Sequence, residues 1–166
     1  MPEKETIERA REDAREGKSP STQAGEFVRE EIHHVREGKH GARSTKQAIA
    51  IGLSKARKAG VKLPPPKKGS TSAKTRRSAK RAHRKGQSSS KKRTSLKRSR
   101  AVRGALKREG RRAASRRALS RQARSAARRR TASSRSAAAK KAARTKGRAG
   151  RSAAAKEAAR TRARRR

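Results

Sequence analysis

The chain contains no cysteine, tryptophan or tyrosine, and Phe27 is its single aromatic residue. The absence of cysteine excludes a disulfide framework, a thiol nucleophile and a zinc finger with cysteine ligands. No run of about 18 apolar residues is present, so the sequence predicts no membrane-spanning helix. The first residues, MPEKETIERARED, lack the apolar stretch of a secretory signal. Together these absences predict a cytoplasmic protein.

Acidic residues are also scarce, because 12 Asp and Glu face 54 Lys and Arg, which gives a net charge of +42. Residues 1–63 contain ten of the acids and 14 of the bases, whereas residues 64–166 contain 40 bases and only Glu109 and Glu157. Three prolines, Pro64–Pro66, mark the change and favour a stiff extended segment. The sequence therefore predicts two parts: a small helical module over 1–63 and a disordered basic arm over 64–166.

The first part has the pattern of three short helices, over about 2–16, 21–37 and 44–59. Gly17, Gly38 and Gly60 are candidate stops, and Ser or Thr side chains are candidate N-caps. Apolar residues at helical spacing predict a small all-α hairpin with a thin core, which consists mainly of Phe27, Ile32, Val35, Ile49, Ile51 and Leu53. A core this small predicts a marginal fold or self-association through 21–60.

The second part is a low-complexity chain of Arg, Lys, Ala and Ser with degenerate repeats, such as 135–150 followed by 151–166. Low hydrophobicity with high net charge is typical of intrinsic disorder. Ala, Arg and Lys nevertheless favour helix over 111–130 and 135–145, while like charges four residues apart oppose it. We therefore expect a disordered arm with helix-forming potential, which gains helix when a polyanion neutralises its charge.

The excess of bases predicts a nucleic-acid partner, and the lack of aromatic residues disfavours the single-strand readers that stack bases on aromatic rings. Arginine, which suits phosphate contacts and narrow minor grooves, dominates the arm and favours duplex DNA.

His33 and His34 are adjacent, so they point to different sides of a helix and predict no metal site; no cofactor or catalytic residue is expected either. The candidate nucleic-acid-binding residues are Arg76, Arg77, Lys80, Arg81, Lys91, Lys92, Arg93, Lys97, Arg98, Arg111, Arg112, Arg116, Arg117, Arg128, Arg129, Arg130, Lys140, Lys141, Arg164, Arg165 and Arg166.

The segment from Glu37 to Gly60, above all RSTKQAIAIGLSKARKAG from Arg43, resembles a small family of uncharacterised bacterial proteins that are often labelled DNA-binding, and similar segments occur in phage proteins. The basic arm resembles histone-like tails. The resemblance implies a bacterial nucleoid protein. The function expected from the sequence is non-enzymatic, sequence-nonspecific coating or compaction of DNA. An RNA-binding or ribosome-associated protein and a structural virion protein packaged with a genome remain alternatives.

Overall fold

The structure, a computed structural model, describes residues 2–88 and 95–164, and for residues 145 and 146 it describes the backbone only. All regular secondary structure in the described residues is helical. Its elements are α1 Lys4–Arg15, α2 Pro20–Glu37, α3 Thr45–Lys58, α4 Ala73–Gln87, α5 Leu96–Lys107, a 3₁₀ turn Arg112–Ala114, α6 Arg116–Arg128 and α7 Ala132–Ala163. Two compact units are present, Met1–Gln122 and Ala123–Arg166.

The first three helices lie close to their predicted positions because local signals define their ends. Gly17 and Gly38 adopt left-handed φ angles of 71° and 80°, which end α1 and α2. Ser44 begins α3, and its side chain accepts a hydrogen bond from the Gln47 amide at 3.2 Å. The start of α2 differs slightly from the prediction, because Ser19 is the N-cap and Pro20 occupies the first helical position.

The contact between α2 and α3 uses smaller residues than the sequence pattern indicates. The buried face of α3 contains Ala48, Gly52 and Ala56, whereas Ile49 and Leu53 are only half-buried. A Cβ atom built on Gly52 would stand 2.7 Å from the Val28 Cα, so the two helix backbones approach very closely there. Glycine is required at this crossing because any side chain would force the helices apart.

Residues far along the chain complete the core of the hairpin. Ala113 and Ala114 of the 3₁₀ turn are buried in one cluster with Ile32 and Val35, and Leu119 packs against its edge. Phe27 belongs to a second cluster with α1 and α3 residues. The 3₁₀ turn therefore covers the apolar face of the hairpin formed by α2 and α3, and this cover comes from the part of the chain after Pro66.

Two backbone hydrogen bonds and one side-chain hydrogen bond hold this cover on the hairpin. The amide of Gly41 donates to the Leu106 carbonyl at 2.8 Å, and the amide of Ala42 donates to the Gly110 carbonyl at 3.1 Å. The buried Thr45 hydroxyl donates to the Ala113 carbonyl at 2.7 Å. The bonds give partners to the loop amides of Gly41 and Ala42 and to the carbonyls of Gly110 and Ala113.

Helix α4 packs on α3 through small residues. Ala79 and Ala82 are buried, and a Cβ atom built on Gly86 would stand 1.8 Å from the Arg57 carbonyl oxygen. Arg57 itself is buried and donates to the carbonyl oxygens of Leu63 and Pro64 at 3.2 and 3.1 Å. Burial lowers the pKa of this guanidinium from its ordinary value. These contacts position the chain on both sides of the proline segment.

The prediction of a long disordered arm is wrong. The arm has few large apolar side chains, from which composition predicts disorder, but α4 and the 3₁₀ turn bury alanines instead. Glycines allow close backbone approach, at Gly86 to Arg57 and at Gly41 to Glu109. Local capping adds order in the second unit, where the Thr131 hydroxyl accepts a hydrogen bond from the Ser134 amide at 3.1 Å at the start of α7. Of the two stretches where propensity predicts helix, 111–130 is α-helical over Arg116–Arg128 and 135–145 lies wholly within α7.

Candidate nucleic-acid interface

The basic side chains of the arm face solvent. Every Lys and Arg side chain that the structure describes from Lys67 onward is exposed. Exposure leaves these cations free of the desolvation that burial imposes and accessible to a large polyanion. Most of the arm's basic residues are thus exposed on helices, whereas the sequence predicts them on a disordered chain.

The candidate residues are distributed over the arm rather than gathered at one point. Helix α4 contains Arg76, Arg77, Lys80 and Arg81, α5 contains Lys97 and Arg98, and the 3₁₀ turn has Arg111 and Arg112. Helix α6 contains Arg116, Arg117 and Arg128 and is followed by Arg129 and Arg130, whereas α7 contains Lys140 and Lys141 and is followed by Arg164. The remaining candidates lie outside the described residues: Lys91, Lys92, Arg93, Arg165 and Arg166.

Helix α4 separates its packing residues from its charges. Ala79 and Ala82 lie on the face that packs on α3, and Arg77, Arg81 and Arg84 follow a spacing of four and three residues on the opposite face. No acidic residue is present between Lys67 and Lys85. A helix packed on one side presents its Arg side chains at fixed spacing, and Arg84 adds to the candidates identified from the sequence.

The end of α5 and the 3₁₀ turn bring further cations beside the hairpin. The Arg111 guanidinium lies over the C-terminus of α2, where its Nη1 atom would stand 3.4 Å from a Cβ atom built on Gly38. Arg36 of α2 donates from Nε to the Ala114 carbonyl at 2.9 Å. Arg36 therefore holds the turn, while Arg111 and Arg112 stay exposed on its surface.

The second unit, taken by itself, contains the whole of α7. Gly147 interrupts this helix with a φ of 63° and a ψ of −178°, a conformation that only glycine adopts readily. The interruption lies near the junction between the two sequence repeats, 135–150 and 151–166. Glu157 is the one acidic residue among the described side chains of the second unit. Exposed Arg and Lys residues recur on both sides of Gly147.

Some bases of the N-terminal part of the chain have a different environment, because acidic side chains lie beside them. Arg9 contacts Glu26 at 2.9 Å, and Lys18 contacts Asp13 at 2.8 Å. Hydrogen bonds to Asp13 and then Glu16 raise the pKa of the Lys18 ammonium above its ordinary value. Several bases of the N-terminal part of the chain are thus paired with acids, whereas residues 64–166 contain two acids, Glu109 and Glu157, for 40 bases.

A buried cluster of acids and imidazoles lies where the hairpin loop meets α2, and the sequence analysis missed it. Glu30 and Glu31 are both buried, and Lys55 lies between them, with Nζ 3.2 Å from Glu30 Oε1 and 2.7 Å from Glu31 Oε2. His34 and His40 complete the cluster, with their ring centroids 6.2 Å apart. The spacing of Glu31 and His34, three residues apart on one helix face, is the signal that could have found it.

Glu3 borders this cluster from the start of α1. Its Oε1 atom lies 2.8 Å from His34 Nε2 and 3.2 Å from Lys39 Nζ. The hydrogen bonds to His34 and then to Lys39 lower the pKa of the Glu3 carboxyl to about 2. Hydrogen bonds to Glu37 and Glu3 correspondingly raise the pKa of Lys39. The contact ties the N-terminal residues to the hairpin loop.

None of the helices in the described part of the chain combines the length and apolarity that a bilayer crossing requires. Comparison with curated proteins and with solved structures finds no match to the chain. A family model does match residues 17–68, which contain α2, α3 and the cluster around Glu31, as well as the segment Glu37–Gly60. Over that segment, about a third of the chain, the protein is similar to a family of unknown function, DUF6496.

Proposed function

We propose that this protein binds duplex DNA without sequence preference, through arginine and lysine side chains displayed on α4 to α7, and that it acts in the nucleoid as a coating or compacting protein rather than as an enzyme. The observation that carries the proposal is the exposure of every described Lys and Arg side chain from Lys67 onward. A surface of this charge attracts a polyanion and gains free energy as condensed counterions are released.

The chemistry of the basic residues favours duplex phosphates over unstacked bases. Arginine offers a planar fork of donors that fits a phosphate with two hydrogen bonds. No aromatic side chain other than Phe27 is available for base stacking, and Phe27 is buried between helices. Recognition through phosphates alone carries no sequence information, which is why the proposal specifies binding without preference.

The test compares two triple variants of the full-length chain that remove the same charge. One replaces Arg77, Arg81 and Arg84 on α4 with Gln. The control replaces Lys4, Arg11 and Arg15 on α1 with Gln. All six side chains are exposed, and glutamine is a good helix former, so both variants keep their helices.

Binding of fluorescent duplex DNA is then measured over a range of salt concentrations. Each phosphate contact contributes about −0.9 to the slope of log K against log salt, so loss of three contacts should make the slope shallower by up to about 2.7 in the α4 variant. The α1 variant should keep the wild-type slope. Equal changes in both would show that net charge alone acts and would overturn the assignment to α4.

The same assay separates DNA from RNA as the partner. Competition with duplex DNA, duplex RNA and tRNA of equal phosphate concentration should show displacement by duplex DNA at the lowest concentration. Preference for tRNA or duplex RNA would replace the proposal with an RNA-binding role. Strong discrimination among unrelated DNA duplexes of one length would contradict binding through phosphates.

A further inference from the structure

The two adjacent buried glutamates differ in how their charge is satisfied. Glu30 accepts hydrogen bonds on both oxygens, from the Glu3 amide at 3.2 Å and from Lys55 Nζ at 3.2 Å. Glu31 is fully buried, and among the described residues neither of its oxygens accepts a hydrogen bond of acceptable geometry. Its oxygens have only ionic contacts, Oε2 with Lys55 and Oε1 with His40 Nε2. A buried carboxylate in this state would be stabilised by further positive charge or a further donor.

The contact between Glu31 and His40 has the spacing of two ligands on one metal ion. Glu31 Oε1 lies 3.2 Å from His40 Nε2. Two ligands bound tetrahedrally to Zn²⁺ at about 2.0–2.1 Å lie about 3.3 Å apart. One ligand atom from each of Glu31, His34 and His40 lies within 4.8 Å of the others, and all three residues are buried or half-buried.

The second nitrogen of each imidazole already has an acceptor outside the cluster. His40 Nδ1 lies 3.0 Å from the Gly41 carbonyl, and His34 Nε2 lies 2.8 Å from the Glu3 carboxylate. A neutral imidazole that donates to these acceptors presents an unprotonated nitrogen toward the cluster, as histidine ligands of metals usually do. In that tautomer, the His40 Nε2 lone pair would face a lone pair of the Glu31 oxygen unless a metal ion or a second proton lay between them.

The charges of the cluster leave one negative charge uncompensated. Glu3, Glu30 and Glu31 contribute three negative charges, against the ammonium groups of Lys39 and Lys55 when the imidazoles are neutral. Lys39 is in addition shared with Glu37, which lies 3.1 Å from its Nζ atom. A cleft lined in part by Glu3, Glu30 and His34 brings solvent to the edge of the cluster, at His34. The requirement for positive charge is thus local, although the whole protein has a net charge of +42.

We propose that Glu31, His34 and His40 form a site for a divalent cation of the zinc class, which fastens the loop after α2 to the hairpin core. Two imidazoles and one carboxylate are ligands that Zn²⁺ accepts, and three protein ligands leave a fourth position for solvent. Glu3 and the Gly41 carbonyl orient the two imidazoles. The site goes beyond DNA binding and stands independently of it.

The test measures Zn²⁺ binding to the full-length protein by calorimetry. The protein is prepared without a polyhistidine tag and in a buffer free of phosphate and chelators. We expect one high-affinity site and a rise in the midpoint of thermal unfolding when Zn²⁺ is added, because a ligand that binds the folded state stabilises it. Absence of a stoichiometric site in the wild-type protein would overturn the proposal and would leave a protonated His40 as the partner of Glu31.

Matched variants locate the site. His40→Asn should lower the affinity for Zn²⁺ at least 100-fold, since loss of even an outer partner typically costs about 10–100-fold. His33→Asn is the control, because His33 is adjacent to His34 but exposed and paired with Glu37 at 2.9 Å, and it should leave the affinity unchanged. Loss of binding in His33→Asn, or retention in His40→Asn, would contradict the assignment.

A third variant gives a readout that a purely structural cluster would not produce. Lys55→Met removes the ammonium that lies 2.7 Å from Glu31 Oε2 and so removes its repulsion of a bound cation. We expect this variant to bind Zn²⁺ more tightly than the wild-type protein and to gain more thermal stability from it. Weaker binding would count against a metal at Glu31. Duplex DNA binding measured on the same samples should not change, so failure here is distinguishable from failure of the proposed DNA-binding function.

Discussion

Substitution of Gly86 by alanine tests whether α4 is docked on α3 or forms an independent helix. In a helix without tertiary contacts, Gly→Ala stabilises by up to about 1 kcal/mol. In this structure the new Cβ atom would stand 1.8 Å from the Arg57 carbonyl oxygen, where ordinary contacts begin at 3.4 Å. Backbone atoms on both sides must then move by about 1.6 Å, and overpacking of this kind costs about 1–3 kcal/mol. A docked α4 therefore predicts that Gly86→Ala lowers the unfolding free energy, whereas an independent α4 predicts that it raises it.

The assay is thermal unfolding of the full-length chain, followed by circular dichroism. We expect Gly86→Ala to lower the unfolding midpoint by roughly 4 °C for each kcal/mol lost. Gly25→Ala is the control, because Gly25 lies within α2 with nothing within 4 Å of its Cβ position, and this variant should raise the midpoint. If Gly86→Ala raised the midpoint as Gly25→Ala does, the docking of α4 on α3 would be refuted.

Three further substitutions test other contacts. Thr45→Val removes the buried hydrogen bond to the Ala113 carbonyl and should cost about 1–3 kcal/mol of unfolding free energy, with faster amide exchange at the 3₁₀ turn; unchanged exchange would contradict the role of this bond. Phe27→Ala should cost about 3–5 kcal/mol in chemical denaturation, and a loss below 1 kcal/mol would contradict its place in the core. Gly147→Ala should increase the helical circular dichroism signal because alanine disfavours the backbone conformation at the interruption; a decrease would count against a regular helix on both sides.

Local signals in the sequence predict the N-terminal helices well. Glycines with left-handed backbones and a serine N-cap define their ends, and each is visible without tertiary information. The packing is less predictable, because spacing favours Ile49 and Leu53 as the buried face of α3, whereas close backbone approach buries Ala48 and Gly52. Small residues give little hydrophobic signal, and their role appears only when a partner backbone is in place.

The ordered helices of residues 64–166 could not be predicted from the sequence for a related reason. Its composition resembles that of disordered chains, yet Ala113 and Ala114 are buried with apolar residues of the hairpin, and Gly86 approaches the main chain at Arg57. The candidate basic residues within the described ranges are all exposed, but exposure does not test whether they contact DNA, so that assignment stays a prediction. The cluster at Glu31 depends on His40 in a loop, whose position relative to α2 follows from the fold and not from helical spacing.

The cover supplied by the 3₁₀ turn has a consequence for the chain during its synthesis. Ala114, whose carbonyl accepts from Arg36, follows that residue by 78 positions. At about 5–20 residues per second, translation takes roughly 4–16 s to reach it. During this interval Ile32 and Val35 have no Ala113 or Ala114 above them, and the nascent hairpin exposes an apolar groove. A chain terminated before the turn would keep that groove open, so premature termination would yield a basic but aggregation-prone product.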